Sequence, residues 1–291
     1  MGEAGNAPFE GANALIFGGA KGIGKSVALE WAKRGANIAI ADIDEAAATE
    51  TAAEIEDAGG HAIGVCANVL SEESIADAVA AVEGQLGEID IVMNNVGAIL
   101  NGHPEDIPFA EWQRILDLNY FAIIRSNAIF IPKMLARGAG HIVNTASFAG
   151  MYPYALGRMP YASAKAATIS LSENLAIYLE PKGVRVSCLV PGPTVTAITD
   201  GMKTWTDDVP LYAGGSELTL IMPDQLARTL ADGMRDGRII IPADDIAFEI
   251  SARKAANPDA FIREKIASFA IGDEGRPTVP PELAAMLAGM Q

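Results

Sequence analysis

Tyr161 and Lys165 are the residues of this sequence whose types and spacing most directly suggest acid/base chemistry. They lie four apart in the stretch "RMPYASAKAATISLSENLAIYL", so on a helix both side chains project from one face, about one turn apart. A free tyrosine has a pKa of about 10, and a neighbouring ammonium lowers that pKa by favouring the phenolate. The pair predicts a tyrosine that exchanges protons near neutral pH. A core tyrosine beside a lysine whose stem covers apolar surface is the alternative, and for such a pair alone it is the commoner case.

A glycine-rich turn, "FGGAKGIGKSVA", follows the first apolar run and precedes a helix-like segment. Gly18, Gly22 and Gly24 permit a tight turn and the close approach of another backbone. The amide groups that begin the following helix are then free to bind a pyrophosphate. In this strand–turn–helix context the motif indicates a nucleotide site, with a glycine-rich turn that binds no ligand as the alternative.

Two charged residues near this turn bear on which nucleotide it would bind. Asp42 ends the second apolar run, where a carboxylate accepts hydrogen bonds from the adenosine ribose and repels the 2′-phosphate of NADP. Lys21 argues the other way, because a cation beside the glycines can pair with that phosphate. Since Asp42 would contact the ribose itself, NAD is the predicted cofactor and NADP the less favoured one.

The elements that would position these residues follow a regular alternation along the chain. Apolar runs of strand length alternate with amphipathic segments of helix length that often end in glycine. The predicted strands are 13–18, 36–42, 61–66, 89–94, 140–146, 184–190 and 237–242. Strands joined by helices of this length imply right-handed crossovers and a parallel sheet covered on both faces. The sequence therefore predicts a doubly wound, Rossmann-type α/β fold.

Departures from this alternation suggest how the chain is divided. A Gly/Asn/Pro-containing tail, 1–11, precedes a single domain that extends from 12 to 242. Within it, 191–222 is long, punctuated by Gly and Pro and rich in bulky apolar residues, which is typical of a lid or binding loop. The remaining residues, 243–291, are predicted to form a helical C-terminal extension.

Composition and charge exclude several classes of function. The net charge of −16 and the pI of about 4.5 repel phosphate backbones and anionic lipids, so neither nucleic acid nor a membrane is an expected partner.

Cys66 and Cys188 lie in apolar runs and are predicted to be core residues. His61, His103 and His141 share no metal-ligand spacing, and no metal site is predicted. With no signal peptide or membrane-spanning stretch recognised, we expect a cytoplasmic protein.

Further motifs accompany the glycine-rich turn and the Tyr–Lys pair in a fixed order. "NNVG" ends at residue 97, "LNY" at residue 120 and "VNTASFAG" at residue 150, and "VPGPTVT" ends at residue 196. Ser147 follows a predicted strand, where ligands of open α/β sheets bind. Together these motifs resemble the short-chain dehydrogenase/reductase family from about Leu15 to Thr196. The chain departs from the family pattern at Phe17, at Asn68 where Asp is usual, and at Val96, and none of these changes removes a reacting group.

The resemblance implies specific roles for residues along this segment. It implies a catalytic tetrad of Asn119, Ser147, Tyr161 and Lys165, in which Ser147 holds the substrate oxygen and Lys165 also binds the nicotinamide ribose. Asn119 would position a water that links Lys165 to solvent. The implied cofactor contacts are Gly18, Lys21, Gly22, Ile23, Gly24, Asp42, Asn68, Val69, Asn95, Gly97, Tyr161, Lys165, Pro191, Gly192, Thr194 and Thr196.

The predicted substrate pocket is apolar and aromatic. Its leading candidates are Leu100, Phe148, Met151, Tyr154, Met202 and Trp205, and a wider set adds Ile99, Tyr152, Leu156, Met159, Leu211, Tyr212 and Met222. Few cations are available there to bind a carboxylate or phosphate; Arg158 is the exception, and a position facing solvent is its alternative. Such a pocket favours a hydrophobic, ring-bearing secondary alcohol and its ketone. The apolar loop packing into an oligomer interface is an equally weighted alternative.

Two rival functions remain compatible with these motifs. One is a 3-oxoacyl-thioester reductase, against which Asp42 and the acidic surface argue. The other is a catalytically silent NAD(H)-binding sensor or scaffold, since a fold does not determine a function.

The resemblance also implies a homotetramer or dimer formed through helices at about 109–136 and 160–181.

Overall fold

The structure, a computed structural model, describes residues 8–199, 202–206, 217–270 and 277–288. Its strands, in chain order, are β1 (Asn13–Phe17), β2 (Asn37–Asp42), β3 (His61–Cys66), β4 (Ile91–Asn94), β5 (Leu100–Asn101), β6 (Gly140–Thr145), β7 (Val184–Val190), β8 (Lys203–Thr204) and β9 (Ile240–Pro242). Seven of them form one parallel sheet in the order β3-β2-β1-β4-β6-β7-β9, and β5 pairs with β8 in a separate two-stranded sheet. The predicted doubly wound fold is confirmed, with strand ends that differ by a few residues from those expected. The β5/β8 pair was not predicted.

The helices surround this sheet. They are α1 (Gly22–Lys33), α2 (Glu45–Asp57), α3 (Glu72–Leu86), α4 (Phe109–Leu116), α5 (Ala122–Arg137), α6 (Phe148–Met151), α7 (Met159–Leu179), α8 (Pro223–Arg235), α9 (Ile246–Ala256), α10 (Pro258–Ala270) and α11 (Pro281–Ala288). A π-helical turn, Asp117–Phe121, joins α4 to α5.

Two apolar clusters hold the helices against opposite faces of the sheet. One contains Trp31 of α1 and Leu230 of α8, and the other contains Phe130 of α5 and Leu179 of α7. The central strand β4 is buried along its whole length, as expected for a parallel sheet covered on both faces. The backbone positions at the carboxyl ends of the central strands are therefore fixed by the core.

The strand order reverses between β1 and β4. From β1 the chain crosses to β2 on one side, and β4 lies on the other side of β1. In open α/β sheets this reversal leaves a crevice outside the carboxyl ends of the strands, where ligands bind. The topology thus places a binding crevice beside the glycine-rich turn.

The segment after β9 packs on the carboxyl-end side of β6 and β7. Ala247 and Ile250 of α9 and Phe261 of α10 form an apolar cluster with Cys188 of β7 and the buried Leu218. Helices α9 and α10 therefore share a core with the sheet.

The prediction that both cysteines are core residues is wrong for one of them. Cys188 is buried, whereas Cys66 is exposed. Cys66 is the last residue of β3, which is an edge strand, so its outward side chain has no second layer to cover it.

Within the described ranges, no helix has the length and apolar character needed to cross a membrane, and no three His, Cys, Asp or Glu residues are grouped to bind a metal.

Candidate active site

A cavity of about 810 Å³ follows the carboxyl ends of the central strands. Asp42 and Asn68 line it beside β2 and β3, and Ser147 and Tyr161 line it beside β6. One continuous space therefore joins the glycine-rich turn to the Tyr–Lys pair. It has the position that the strand-order reversal predicts.

The glycine-rich turn presents backbone to this cavity. Gly18 has φ of 72°, and a Cβ there would lie 3.0 Å from Val96 Cγ2, while a Cβ on Gly24 would collide with the Gly18 carbonyl. Gly22 and Ile23, the first two residues of α1, line the cavity. The N-cap of α1 is Lys21, whose side chain has no acceptor for the first-turn amides. This arrangement fits an anionic pyrophosphate.

Asp42 and Lys21 are arranged around the start of α2. Asp42 lines the cavity, and its carboxylate accepts hydrogen bonds from the amides of Ala20 at 3.3 Å and Asp44 at 3.2 Å. The exposed Lys21 ammonium pairs with Asp44 at 2.9 Å, which lowers the pKa of that carboxyl. The structure thus brings a negative side chain to the cavity at the end of β2 and joins Lys21 to a second carboxylate beside it.

Asn68 and Val69 also line this end of the cavity. The side-chain oxygen of Asn68 accepts the Leu70 amide at 3.0 Å, so it stabilises the local turn and leaves the amide NH₂ as the group for an external partner. At the next strand, Asn95 Nδ2 donates to the Gly18 carbonyl at 2.9 Å. The Asn95 side chain therefore fixes the glycine turn as well as lining the cavity.

Ser147 and Tyr161 are brought together by the end of β6 and the start of α7. Ser147 is the N-cap of α6, where its Oγ accepts the Ala149 amide at 3.2 Å. Its hydroxyl also lies within hydrogen-bonding reach of the phenols of Tyr161 and Tyr154. Three hydroxyl groups thus meet at one point of the cavity wall.

Lys165 lies one turn beyond Tyr161 on α7 and is almost fully buried. Its Nζ donates to the Thr145 carbonyl at 2.7 Å and lies 5.6 Å from the centre of the Tyr161 ring. Burial lowers the pKa of Lys165 to about 8. The ammonium therefore lies beside the tyrosine with a backbone carbonyl as its hydrogen-bond partner.

Asn119 lies in the π-helical turn and is fully buried. Its Nδ2 donates to the carbonyls of Ala98 and Ile115, each at 2.9 Å, and its Oδ1 has no hydrogen-bond partner among the described residues. A Cβ built on Gly97 would lie 2.8 Å from that oxygen and 3.6 Å from Lys165 Nζ. The absent side chain of Gly97 leaves a gap between an acceptor and a cation, which suits a small polar ligand such as water. Single π-helical turns inside α-helices are frequent at functional sites.

Arg158 lines the cavity, so of the two environments expected for it the structure shows the pocket and not the solvent. It ends a short 3₁₀ turn, Leu156–Arg158, directly before α7, and it is only 8% exposed. Burial raises the pKa of Tyr161 above that of a free tyrosine, and the hydrogen bond with Ser147 and the charge of Arg158 offset only part of this rise. The net direction is opposite to the one expected from the Tyr–Lys spacing. A cation three residues before a candidate tyrosine was the available signal, but sequence alone did not show that it faces inward.

The lining of the cavity near Tyr161 differs from the predicted substrate pocket. Of the six leading candidates, Tyr154 lines the cavity, but Leu100, Phe148, Met151, Met202 and Trp205 are not among its described lining residues. Phe148 and Leu100 are buried in apolar clusters instead.

From the wider candidate set, Ile99 lines the cavity, while Leu211 and Tyr212 fall outside the described residues. Ile198, Leu220 and Pro277 also form the wall, and none of them was predicted. The predicted cofactor contacts after β7 all border the cavity: Pro191, Gly192, Thr194 and Thr196. Gly24 does not, because its role is the close packing of the turn described above.

Comparison with known proteins connects this geometry to a family. A family model described as short chain dehydrogenase matches residues 12–207. The 2,5-dichloro-2,5-cyclohexadiene-1,4-diol dehydrogenase LinX of Sphingobium indicum is 34% identical over 212 residues, which cover 71% of this chain and 84% of that protein. The 7alpha-hydroxysteroid dehydrogenase of Escherichia coli is 32% identical over 201 residues, with coverages of 68% and 76%.

Solved structures share the architecture. A short chain dehydrogenase/reductase from Burkholderia phymatum in complex with NAD aligns with a TM-score of 0.76 at 24% identity, covering 87% of this chain and 96% of that one. A short-chain type dehydrogenase/reductase from Mycobacterium marinum aligns with a TM-score of 0.72 at 28% identity, with coverages of 83% and 98%. With its glycine turn, its Ser147 and its Tyr161–Lys165 pair along one crevice, the chain belongs to the short-chain dehydrogenase family.

Proposed function

We propose that this protein is an NAD(H)-dependent oxidoreductase that interconverts a hydrophobic, ring-bearing secondary alcohol and its ketone. The observation that carries the proposal is the meeting of Ser147 and Tyr161 hydroxyls in the same cavity as the glycine-rich turn. That arrangement places a proton carrier beside a site suited to a dinucleotide.

The residues present fit a nicotinamide dinucleotide. The amides of Gly22 and Ile23 would bind the pyrophosphate, Asp42 the adenosine ribose, and Lys165 the nicotinamide ribose. When bound, the cofactor accepts or supplies the hydride. Gly97 leaves the space that close approach of a ligand requires.

Tyr161 would act as the general base for alcohol oxidation and as the general acid for ketone reduction. In oxidation its phenolate oxygen takes the hydroxyl proton of the substrate, while Ser147 donates a hydrogen bond to the same substrate oxygen. The positive charge of Arg158 favours the phenolate. The Lys165 ammonium, 5.6 Å from the centre of the Tyr161 ring, would add to this effect. The proton would then leave through Lys165 and a water held by Asn119.

Asp42 supports NAD over NADP as the cofactor. Its carboxylate lines the cavity at the end of β2, and Asp44 adds a second negative charge next to it. The Asp42 carboxylate would repel a 2′-phosphate, and the charges of Lys21 and Asp44 offset each other in their ion pair. NAD use in turn favours oxidation of the alcohol as the working direction.

The apolar lining supports a ring-bearing substrate. Ile99, Ile198 and Leu220 border the cavity along with Tyr154, so a substrate held there buries mostly apolar surface. The names of two relatives agree in kind, since one is a dehydrogenase of a cyclohexadiene diol and the other of a hydroxysteroid.

We also propose that the protein assembles as a homodimer or homotetramer. Large apolar side chains are exposed on two helices, with Phe109 of α4 75% exposed and Ile177 of α7 77% exposed. Exposed apolar groups of this size favour burial against a second copy. Light scattering on the purified protein would show a single mass of two or four chains, and a monomer at all concentrations would contradict the proposal.

The proposed activity is tested by a screen that follows reduced nicotinamide with NAD and NADP in parallel. The alcohols should include cyclic and aryl secondary alcohols, small polyols and 3-hydroxyacyl thioesters. We expect NADH formation with cyclic alcohols and much slower use of NADP. A preference for polyols or for the thioesters would overturn the substrate proposal, and dinucleotide binding without any turnover would favour the sensor.

A further inference from the structure

We infer that the C-terminal extension supplies part of the wall of this chain's own substrate pocket, through Pro277, and so limits the size of ring that the pocket admits. The kind of ligand rests on the proposed function, whereas the position of the wall rests on contacts within the chain. Pro277 lies far along the chain from the tetrad, yet it lines the same cavity as Tyr161.

Backbone pairing fixes the position of this part of the extension. The Thr278 amide donates to the Leu218 carbonyl at 2.8 Å, and the Leu220 amide donates to the Thr278 carbonyl at 2.9 Å. Thr219 and Thr278 form a parallel bridge between these bonds. This register places Pro277 opposite Leu218, and Pro277 and Leu220 both line the cavity.

Residues 218–221, which pair with the extension, also pair on their other side with the loop after β7. The Ile221 amide donates to the Pro193 carbonyl, and the Val195 amide donates to the Ile221 carbonyl, each at 3.0 Å. Pro193 and Thr194 line the cavity at the carboxyl end of β7, on the side away from Asp42. Three segments thus lie side by side. They place Pro277 at the end of the cavity that contains Ser147 and Tyr161.

Side-chain contacts anchor the extension in this position. Leu218 is fully buried against Ile250 of α9 and Phe261 of α10. Arg253 of α9 forms a two-bond ion pair with Glu217, at 2.9 and 3.1 Å. The wall segment is consequently attached to the helices of the extension as well as to the sheet.

A ring-shaped substrate would meet this wall with its apolar part. Leu220 and Pro277 carry no group that can exchange a proton, so they would shape the pocket and leave the chemistry at Ser147 and Tyr161 unchanged. Substitution of Pro277 should therefore change which substrates are accepted while the cofactor binds as before.

The test compares Pro277→Trp with Val279→Trp in the full-length protein. Val279 belongs to the same segment but is 41% exposed, so it is a matched control for added bulk. Specificity constants kcat/KM are measured for cyclopentanol, cyclohexanol, a bicyclic alcohol and a hydroxysteroid. We expect Pro277→Trp to lower kcat/KM for the largest alcohol by about tenfold or more relative to the smallest, which is the discrimination that a change of a few carbon atoms gives in an apolar pocket. Val279→Trp should leave the relative kcat/KM values of these alcohols unchanged. Neither substitution should change the affinity for NADH.

The inference is overturned if Pro277→Trp keeps the wild-type order of substrates, or if Val279→Trp shifts it equally. Hydrogen–deuterium exchange on the wild type tests the wall without any turnover. Peptides that contain Leu220 and Thr278 should exchange slowly because both amides are hydrogen-bonded, and exchange at the rate of an unfolded chain would contradict the inference. If the wild type oxidises no alcohol, the proposed function fails, while the exchange result still decides whether this wall exists.

Discussion

The two ends of the cavity are built in different ways. At the dinucleotide end, Gly18, Asp42 and Asn95 lie at or directly after the carboxyl ends of central strands. Asn95 joins two of these ends, because its Nδ2 donates to the Gly18 carbonyl at 2.9 Å and its Oδ1 accepts from Thr145 Oγ1 at 3.2 Å. The positions at this end therefore follow from the sheet itself.

At the substrate end the wall is assembled from distant parts of the chain. Tyr154 follows α6, Ile198 follows β7, Leu220 precedes α8, and Pro277 belongs to the C-terminal extension. The segments of Leu220 and Pro277 are held by loop-to-loop hydrogen bonds rather than by the main sheet. Substitutions at the dinucleotide end should thus affect cofactor binding for every substrate alike, whereas substitutions at the substrate end should change the order of substrates.

Tyr161 lies between the two ends, and its substitution should have the largest effect. Tyr161→Phe removes the proton carrier and keeps the ring, so kcat/KM should fall by about 10²–10⁴-fold for all alcohols. The dissociation constant for NADH should remain at its wild-type value, as measured by fluorescence titration. Tyr154→Phe is the matched control, since that phenol also lies within reach of Ser147. An equal loss in both variants would show that the two tyrosines are not distinguished as proposed.

Ser147→Ala should have the next largest effect. Loss of one hydrogen-bond donor to the substrate oxygen lowers kcat by roughly 10²–10³-fold in comparable sites. The exposed Ser163, which lies between Tyr161 and Lys165 on α7, provides the control Ser163→Ala. Wild-type turnover by the Ser147 variant, or an equal loss in the Ser163 variant, would remove Ser147 from the mechanism.

Asp42→Ser tests the dinucleotide end. Removal of the carboxylate removes repulsion of the 2′-phosphate, so the ratio of kcat/KM for NADP to that for NAD should rise by about tenfold, which corresponds to about 1.4 kcal/mol. The order of alcohol substrates should not change. The exposed Asp57 at the end of α2 provides the control Asp57→Ser. A changed alcohol order in the Asp42 variant would break the separation of the two ends.

Arg158→Met is expected to give the smallest of these effects, a displaced pH profile. Because the Arg158 charge lowers the pKa of Tyr161, its removal should raise that pKa. Oxidation requires the phenolate, so kcat/KM should fall at neutral pH and recover as the pH rises, with the inflection of the pH profile displaced to higher pH. Arg228→Met, at an exposed ion pair on α8, is the control. A uniform loss at every pH would instead indicate that Arg158 contacts the substrate.

The contrast between the two ends also explains what could be predicted from the sequence. Strand ends in a doubly wound sheet converge on one crevice, so Asp42 and Ser147 could be placed there from alternation alone. Apolar composition does not say which side of a loop faces the core, and Phe148 packs inward although it follows Ser147, the proposed substrate-binding serine. Pro277 had no sequence signal, since its position depends on pairing with a segment far away in the chain.

Arg158 and Lys165 show the same limit around Tyr161. The spacing of Tyr161 and Lys165 placed both on one helical face, but it did not reveal that the ammonium donates to the Thr145 carbonyl. Nor did it reveal that a buried arginine supplies charge from the turn before the helix. Electrostatics at a buried group depends on distances across elements, which only the folded chain defines.

The most direct test of the account is the fate of the hydrogen on the carbinol carbon. The wild type and Tyr161→Phe are mixed with NAD and a cyclic secondary alcohol deuterated at that carbon, and deuterium in the NADH formed is measured by mass spectrometry. The account predicts deuterium in the NADH formed by the wild type and almost no NADH from the variant, although the variant still binds the dinucleotide. NADH without deuterium, or equal transfer by both proteins, would contradict it.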